Sequence, residues 1–124
     1  MLYESGEDYL ETILMLQREK GYVRSVDIAA KLSYTKASVS RAMSILRQNN
    51  YIVMDKGGFI TLTETGEQRA QGIYERHVTI TRYFEKVLGV SPETAEHDAC
   101  RVEHILSPET FEKMKHQLVL CEEK

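Results

Sequence analysis

The spacing of the apolar residues changes once within the first half of the chain, and this change limits the possible fold more than any other feature. Segment 35–50 carries apolar residues at intervals of three and four, as on one face of an α-helix. Two short β-type runs, 51–54 and 59–62, follow on either side of Gly57 and Gly58. Because glycine adopts positive φ at little cost, two central glycines are typical of a hairpin turn. The inward face of the predicted helix consists of Val39, Met43 and Leu46, with Ala42 beside them.

Two further amphipathic segments precede this helix. Segment 5–19 predicts a first helix with Ser5 as its N-cap, and segment 25–32 predicts a second helix with Ser25 as its N-cap. A short turn joins the second helix to the third, so the order is helix, tight turn, helix and hairpin. This order is that of a winged helix-turn-helix. The residues expected to be buried are Tyr9, Leu10, Ile13, Leu14 and Leu16 in the first helix, and Val26, Ile28, Ala29 and Leu32 in the second.

After the hairpin the sequence is helical again. Thr63 is expected to cap a long helix over about 64–88, and two more helices are expected over 91–106 and from about 108 onward. The fold class is therefore mainly α: a winged helix-turn-helix with a small β-hairpin wing, residues 1–66, plus a helical metal-binding and dimerisation domain, residues 67–124. Apolar residues of the last two helices are candidates for either a dimer surface or an intramolecular core: Val102, Ile105, Leu106, Phe111 and Met114.

The bulk composition predicts a cytoplasmic protein with no membrane partner. No apolar run approaches the roughly 20 residues that span a bilayer. The first residues are acidic and lack the basic start of a signal peptide. In a reducing cytosol, Cys100 and Cys121 are not expected to form a structural disulfide.

The distribution of charge predicts a double-stranded DNA partner, although the chain carries a net charge of −3. Between residues 20 and 56, seven Lys and Arg stand against two Asp, a local charge of +5. The third helix would enter the major groove, with Arg41 reading a guanine edge and Lys56 touching the backbone from the wing. Solvated polar residues on a protein-interaction module are the alternative explanation. The DNA-binding candidates are Thr35, Lys36, Ser38, Ser40, Arg41, Arg47 and Lys56.

Side chains of metal-ligand type recur at helical spacing in two segments. Asp8 and Glu11 are three residues apart, so both carboxylates project from one face of the first helix. Near residue 100, a cysteine, a glutamate and a histidine at spacings of three and four share another helical face. Carboxylate, thiolate and imidazole donors together suit first-row divalent ions, although exposed helices often carry such residues without an ion. The candidate ligands are Asp8, Glu11, His77, Cys100, Glu103 and His104.

The sequence resembles the iron- and manganese-dependent repressors, the family of the diphtheria toxin repressor and the manganese transport regulator. The resemblance extends in order over nearly the whole chain. It implies a winged-helix N-terminal domain, dimerising helices after it, metal ligands from both parts, and a homodimer on a palindromic operator. The segments that carry it are EDYLETI at 7–13, VDIAAKL at 26–32, ASVSRAM at 37–43, LTETG at 62–66, ERH at 75–77 and ACRVEHILS at 99–107.

The resemblance also implies a ligand set of mixed type. Cys100 matches the cysteine of the iron-type members, whereas the manganese type has glutamate there; iron-type members usually carry Met in place of Asp8. His97 lies near a second-site histidine of the iron type and is a possible ancillary ligand, but Thr81 replaces a glutamate of that site. The cofactor is therefore expected to be Mn(II) or Fe(II), with Zn(II), Co(II) or Ni(II) as alternatives. Positions that match manganese-type ligands are Asp8, Glu11, His77, Glu103 and His104.

The sequence therefore predicts a transcriptional regulator of metal homeostasis, a repressor by family likeness, rather than an enzyme acting on a small organic substrate. An ion held by both domains would set the spacing of two recognition helices at about one DNA turn, roughly 34 Å. The alternatives are a winged-helix regulator that does not respond to metal, a metal-buffering protein and a metallohydrolase.

Overall fold

The computed structural model describes residues 4–123, which form six helices and one two-stranded antiparallel sheet. This confirms the predicted mainly-α class with a β-hairpin. None of the described helices has the length and apolar character needed to cross a bilayer. The elements are α1 (Glu4–Lys20), α2 (Ser25–Leu32), α3 (Lys36–Gln48), β1 (Ile52–Met54), β2 (Ile60–Leu62), α4 (Glu64–Lys86), α5 (Pro92–Val102) and α6 (Pro108–Glu122).

The chain divides into two compact units, with the boundary between Gln71 and Gly72, inside α4. The core of the first unit comes from the inward faces of α1, α2 and α3 together with the hairpin. Every apolar residue predicted to be buried in α1 and α3 is buried or half-buried, but the prediction for Val26 is wrong, because its side chain is 53% exposed. Val26 lies on the first turn of α2, about 200° around the helix axis from the buried Ile28.

Threonine side chains cap α3 and α4. Thr63 caps α4 as predicted, since its Oγ1 accepts a hydrogen bond from Gly66 N–H at 3.0 Å. The N-cap of α2 is Arg24 rather than Ser25, which is the first helical residue. Ser5 lies inside α1, whose first described residue is Glu4. Thr35 caps α3 by accepting a hydrogen bond from Ser38 N–H at 3.1 Å.

The hairpin, which we call the wing (residues 52–62), pairs Ile52 with Leu62 and Met54 with Ile60. Its turn is closed by a hydrogen bond of 3.1 Å from Gly58 N–H to Asp55 O. The predicted turn at the two glycines is confirmed, and Gly58 is the one with positive φ, 83°. One left-handed glycine after a four-residue turn is the arrangement that gives a hairpin a single-residue bulge.

The second unit has its own core of Ile80, Ala99 and Phe111, against which Phe84, Leu106 and Met114 pack. Leu106, Phe111 and Met114 therefore belong to an intramolecular core, whereas Ile105 is 75% exposed. Helix α5 ends at Val102, four residues earlier than predicted. The amides of Ile105 and Leu106 both donate to Val102 O, at 3.0 and 3.2 Å, so the chain winds into a turn there.

Asp27 links the start of α2 to the end of α1. Its Oδ1 accepts a hydrogen bond from Lys20 Nζ at 2.8 Å, and its Oδ2 accepts one from Arg24 N–H at 2.9 Å. The hydrogen bond from Lys20 lowers the pKa of Asp27 below its ordinary value, although partial burial of the carboxyl opposes the change. The charged form of Asp27 therefore stabilises the folded state.

We expect Asp27→Asn to lower the free energy of unfolding at pH 7 by less than about 1 kcal/mol, because the ion pair lies near the surface. Since the folded pKa lies below the unfolded value of about 3.9, the contribution is fully present above that value and is lost as pH falls through the folded pKa. Urea unfolding of both proteins, from pH 7 to the acid limit of the native state, measures the difference. A difference that does not shrink in acid contradicts the prediction.

The backbone of Tyr51 approaches Gly66 so closely that an added Cβ would overlap the Tyr51 carbonyl oxygen. We expect Gly66→Ala to lower the free energy of unfolding by about 1–3 kcal/mol, as overpacking does. Gly72→Ala on the same helix is the matched control, because nothing lies within 4 Å of a Cβ there. Alanine should stabilise α4 at that position by about 0.5–1 kcal/mol. Urea denaturation should therefore give shifts of opposite sign.

Candidate DNA-binding surface and metal site

Helix α3 separates its apolar and polar residues sharply. Val39, Met43 and Leu46 are buried, and they hold one face of the helix against the first unit. The opposite face leaves Arg41 and Arg47 exposed. An exposed cationic helix face held by a buried apolar face is the arrangement with which a helix enters the major groove. Lys36 and Ser40, also predicted to contact DNA, are exposed on α3 as well.

Thr35 and Ser38 also organise the start of α3. Besides accepting from the Ser38 amide, the Thr35 hydroxyl donates to Ser38 Oγ at 2.9 Å. These two hydroxyls therefore fix the first turn of the helix, and Lys36 and Arg41 extend from a defined backbone. A DNA contact by Thr35 or Ser38 remains a prediction.

A polar cleft of about 240 Å³ opens between α2, α3 and β1. Ser25, Ser40, Ser44 and Arg47 line it, together with Met43 and Met54. Hydroxyl and guanidinium groups suit a phosphate oxygen. The sequence interpretation missed Ser25 and Ser44. Ser44 could have been found from its spacing, because it follows Ser40 by four residues and therefore lies on the same face of α3.

In the second unit, the side chain of Glu103 is fully buried and lies between the imidazoles of His77 and His104. His77 Nδ1 is 2.8 Å from Oε2 of Glu103, and His104 Nε2 is 3.4 Å from Oε1. Within residues 4–123, no hydrogen bond reaches that Oε1. A buried carboxylate oxygen without a hydrogen bond is costly, and a bound cation would compensate it.

Cys100 brings a sulfur donor to the same place. Its exposed side chain lies one turn before Glu103, and Sγ is within 4.8 Å of a carboxylate oxygen of Glu103. The structure thus brings together four predicted ligands of the second unit: His77, Cys100, Glu103 and His104. Imidazole and thiolate donors around one buried carboxylate fit a first-row divalent ion.

Arg76 positions the turn that carries Glu103 and His104. One Nη donates to the carbonyl oxygen of Leu106, and the guanidinium lies 5.1 Å from the centroid of the Phe111 ring. These contacts tie residues 103–106 to α4, which also carries His77. The sequence interpretation missed Arg76, because no local pattern indicates a contact with a carbonyl 30 residues away.

The remaining predicted ligands lie elsewhere in the chain. Asp8 and Glu11 are on α1 of the first unit, and their part in the site remains a prediction. His97 is on α5 with 74% of its side chain exposed, and its Nδ1 is 3.7 Å from Asp98 Oδ1. Within residues 4–123, His97 belongs to no cluster of three donors able to share an ion. Thr81 uses its hydroxyl to donate to His77 O at 2.7 Å.

Two protein-family descriptions match the chain, and together they cover almost all of it. Residues 1–58 match the iron dependent repressor, N-terminal DNA binding domain. Residues 63–123 match the iron dependent repressor, metal binding and dimerisation domain.

Curated relatives cover most of the same length. The transcriptional regulator MntR of Escherichia coli is 40% identical over 88% of this chain and 70% of its own length. An uncharacterized HTH-type transcriptional regulator of Methanocaldococcus jannaschii is 33% identical over 90% of both chains. The HTH-type transcriptional regulator MntR of Geobacillus thermodenitrificans is 37% identical over 83% of this chain and 72% of its own length.

Solved structures share the fold. IdeR of T. acidophilum superposes with a TM-score of 0.81 at 25% identity, over 91% of this chain and 53% of its own. A manganese-dependent transcriptional repressor in complex with manganese gives a TM-score of 0.83 at 22% identity, over 92% of this chain and 52% of its own. The chain thus spans about half of the length of these solved structures.

We expect Glu103→Gln to abolish most of the rise in Tm that saturating Mn(II) or Fe(II) gives the unaltered protein, since an amide is an uncharged and weaker ligand. A ligand at 100 times its Kd stabilises a protein by about 2.7 kcal/mol, which raises Tm by several degrees in a chain of this size. Scanning calorimetry with and without metal measures this rise.

The matched control is Glu96→Gln, which removes the same charge from an exposed position of α5. It should keep the full metal-dependent rise. An equal rise in Glu103→Gln and in the unaltered protein would show that the buried carboxylate is not a ligand. Each rise is taken relative to the same variant without metal, so an effect of the substitution on the metal-free protein does not enter the comparison.

Proposed function

Because the chain belongs to the iron-dependent repressor family, we propose that it is a metal-dependent transcriptional regulator, a repressor by family likeness, that controls genes of metal homeostasis. The observation that carries this proposal is the buried Glu103 carboxylate, which lies between His77 and His104 and whose Oε1 receives no hydrogen bond from the described residues. A chain that joins a DNA-binding unit to a second unit with a site of this kind can respond to metal. We place the protein in the cytoplasm, with no catalytic activity of its own.

On the DNA side, α3 lies in the major groove and each polar residue has a distinct role. Arg41 reads a guanine edge through its two-pronged guanidinium. Lys36 and Ser40 contact phosphates beside it, and Arg47 holds a phosphate at the cleft with Ser25. Lys56 reaches the backbone from the tip of the wing. Cationic side chains on phosphates release counterions, so binding weakens as salt rises.

On the metal side, Asp8 and Glu11 complete the donor set of His77, Cys100, Glu103 and His104. A bound Mn(II) or Fe(II) ion supplies the positive charge that lets these carboxylates approach one another. The carboxylates favour Mn(II), and the thiolate of Cys100 favours Fe(II) or a softer ion such as Zn(II), Co(II) or Ni(II). Arg76 holds the turn of Glu103 and His104 in place for either ion.

Regulation follows from the positions of these residues along the chain. Asp8 and Glu11 are on α1, which packs in the DNA-binding unit, whereas the other donors belong to the second unit. Without a cation, three carboxylates directed at one centre repel each other. When all six side chains bind at one centre, α1 takes a single orientation, and a twofold homodimer presents its two α3 helices about one DNA turn apart, roughly 34 Å. Metal and DNA affinity are then thermodynamically coupled.

The test is a DNA-binding titration with a promoter fragment from the protein's own gene neighbourhood, at fixed salt. We expect Mn(II) or Fe(II) to raise affinity at least tenfold over a chelator, with Zn(II), Co(II) and Ni(II) run alongside. In the metal-loaded protein, Arg41→Ala should cost about 1–3 kcal/mol on the specific fragment, because it removes a base contact. The same variant should change binding to an unrelated fragment much less.

Two variants distinguish metal control of DNA binding from metal binding alone. Glu103→Gln should bind DNA with the same affinity whether metal or chelator is present, whereas Glu96→Gln should respond like the unaltered protein. An affinity that ignores every metal in the unaltered protein contradicts the proposed control, even if calorimetry detects the ion. Loss of DNA binding under all conditions contradicts the DNA-binding role itself.

A further inference from the structure

Arg24 lies in the basic segment, but its guanidinium is engaged by the wing. Nη2 of Arg24 donates to Gly57 O at 2.7 Å. The guanidinium carbon lies 4.9 Å from the centroid of the Phe59 ring, a distance typical of cation–π contact. The guanidinium thus donates a hydrogen bond to the hairpin and also stacks on one of its rings. The carbonyl that accepts this hydrogen bond is 33 residues further along the chain.

The backbone beside Arg24 is joined to the same hairpin. Arg24 and Phe59 form an isolated antiparallel bridge, and Ile60 N–H donates to Val23 O at 2.8 Å. The Arg24 amide in turn donates to Asp27 Oδ2, which anchors the residue to the first turn of α2. The loop between α1 and α2 therefore pairs with the wing through an isolated bridge, and Arg24 connects the wing to the helix-turn-helix.

Aromatic contacts extend this connection. The ring of Tyr22 meets Phe59 edge-on, with centroids 6.0 Å apart. Lys20 Nζ lies 5.6 Å from the centroid of Tyr22. Phe59 is therefore held between the Arg24 guanidinium and the Tyr22 ring, although it is 40% exposed.

The wing needs this support because its strands are only three residues long. A two-stranded hairpin of this size is marginally stable in water. Its tip consists of Lys56, Gly57 and Gly58, and the two glycines have no side chains with which to pack. The carbonyl that Arg24 holds belongs to the residue directly after Lys56, so this contact sets the direction in which Lys56 leaves the tip.

We propose that Arg24 is a positioning residue for DNA binding: it fixes the wing on the helix-turn-helix so that Lys56 reaches a backbone phosphate, and it makes no phosphate contact of its own. The inference rests on the DNA contact of Lys56 in the proposed function. The inference gives the positively charged Arg24 a structural role, whereas Arg41 and Arg47 contact DNA directly in the proposed function.

The experiment measures the slope of log affinity against log salt for the metal-loaded full chain on its promoter fragment. Lys56→Ala should lower the slope by about 0.9, which corresponds to a roughly fivefold loss of affinity at 0.15 M salt. Arg24→Ala should lower it by a similar amount, and Arg24→Lys nearly as much, because lysine keeps the charge but not the planar fork. In the Lys56→Ala background, Arg24→Ala should lower the slope no further.

Phe59→Leu is the decisive variant, because it removes the ring under Arg24 without changing any charge. It should lower the slope as Arg24→Ala does. Lys31→Ala is the matched control: it removes one positive charge from α2 of the same unit, where Lys31 lies 3.4 Å from Glu19. It should leave the slope unchanged. Circular dichroism and Tm verify that each variant is folded at the temperature of the assay.

The outcomes that contradict the inference separate an error about Arg24 from an error about Lys56. If Lys56→Ala lowers the slope but Phe59→Leu does not, or if Arg24→Ala adds a further 0.9 in the Lys56→Ala background, Arg24 touches phosphate itself and the positioning role is wrong. If Lys56→Ala leaves the slope unchanged, the wing contact of the proposed function is wrong, and the role of Arg24 falls with it. Metal-dependent binding by α3 would still stand in both cases.

Discussion

A buried carboxylate imposes the strongest constraint on the second half of this protein. Removing an ionised side chain from water costs several kcal/mol unless partners compensate it. Glu103 has an imidazole on each side, but in the described part of the chain its Oε1 still lacks a hydrogen bond. Replacing buried ionised groups by well-packed apolar residues is often neutral or stabilising, so the fold alone does not require a carboxylate here. This geometry fits the proposed ligand role of Glu103, which the turn after α5 presents.

Each half of the chain holds an irregular segment in place with the same kind of arginine contact. In each, an arginine donates to a backbone carbonyl about 30 residues away and lays its guanidinium over a phenylalanine ring. Arg24 does so with Gly57 and Phe59, and Arg76 does so with Leu106 and Phe111. Each contact lies beside a short irregular segment with side chains of proposed function: Lys56 in the wing, and Glu103 with His104 after α5. Lysine cannot replace arginine here, because only a planar group serves both contacts at once.

Local patterns predicted much of the fold and part of the site. Helical spacing located α1 and α3 and identified their buried residues, because burial on one face of a helix repeats every three or four residues. The ligand-type residues at 100, 103 and 104 were likewise found by spacing, and the structure gathers them with His77. Their helical face was only approximately right, since α5 ends at Val102 and His104 lies in the turn beyond it.

The sequence by itself determined the order of elements, the polar face of α3 and the donor chemistry of the metal site, because each depends on residues close together in the chain. Only the tertiary structure decided that Phe111 and Met114 fill a core, that Val26 faces water, and that Arg24 and Arg76 hold distant carbonyls. The physical reason is that an apolar face or a guanidinium does not specify its partner. The partner is set by which segments meet when the chain folds, and no periodicity within one segment contains that information.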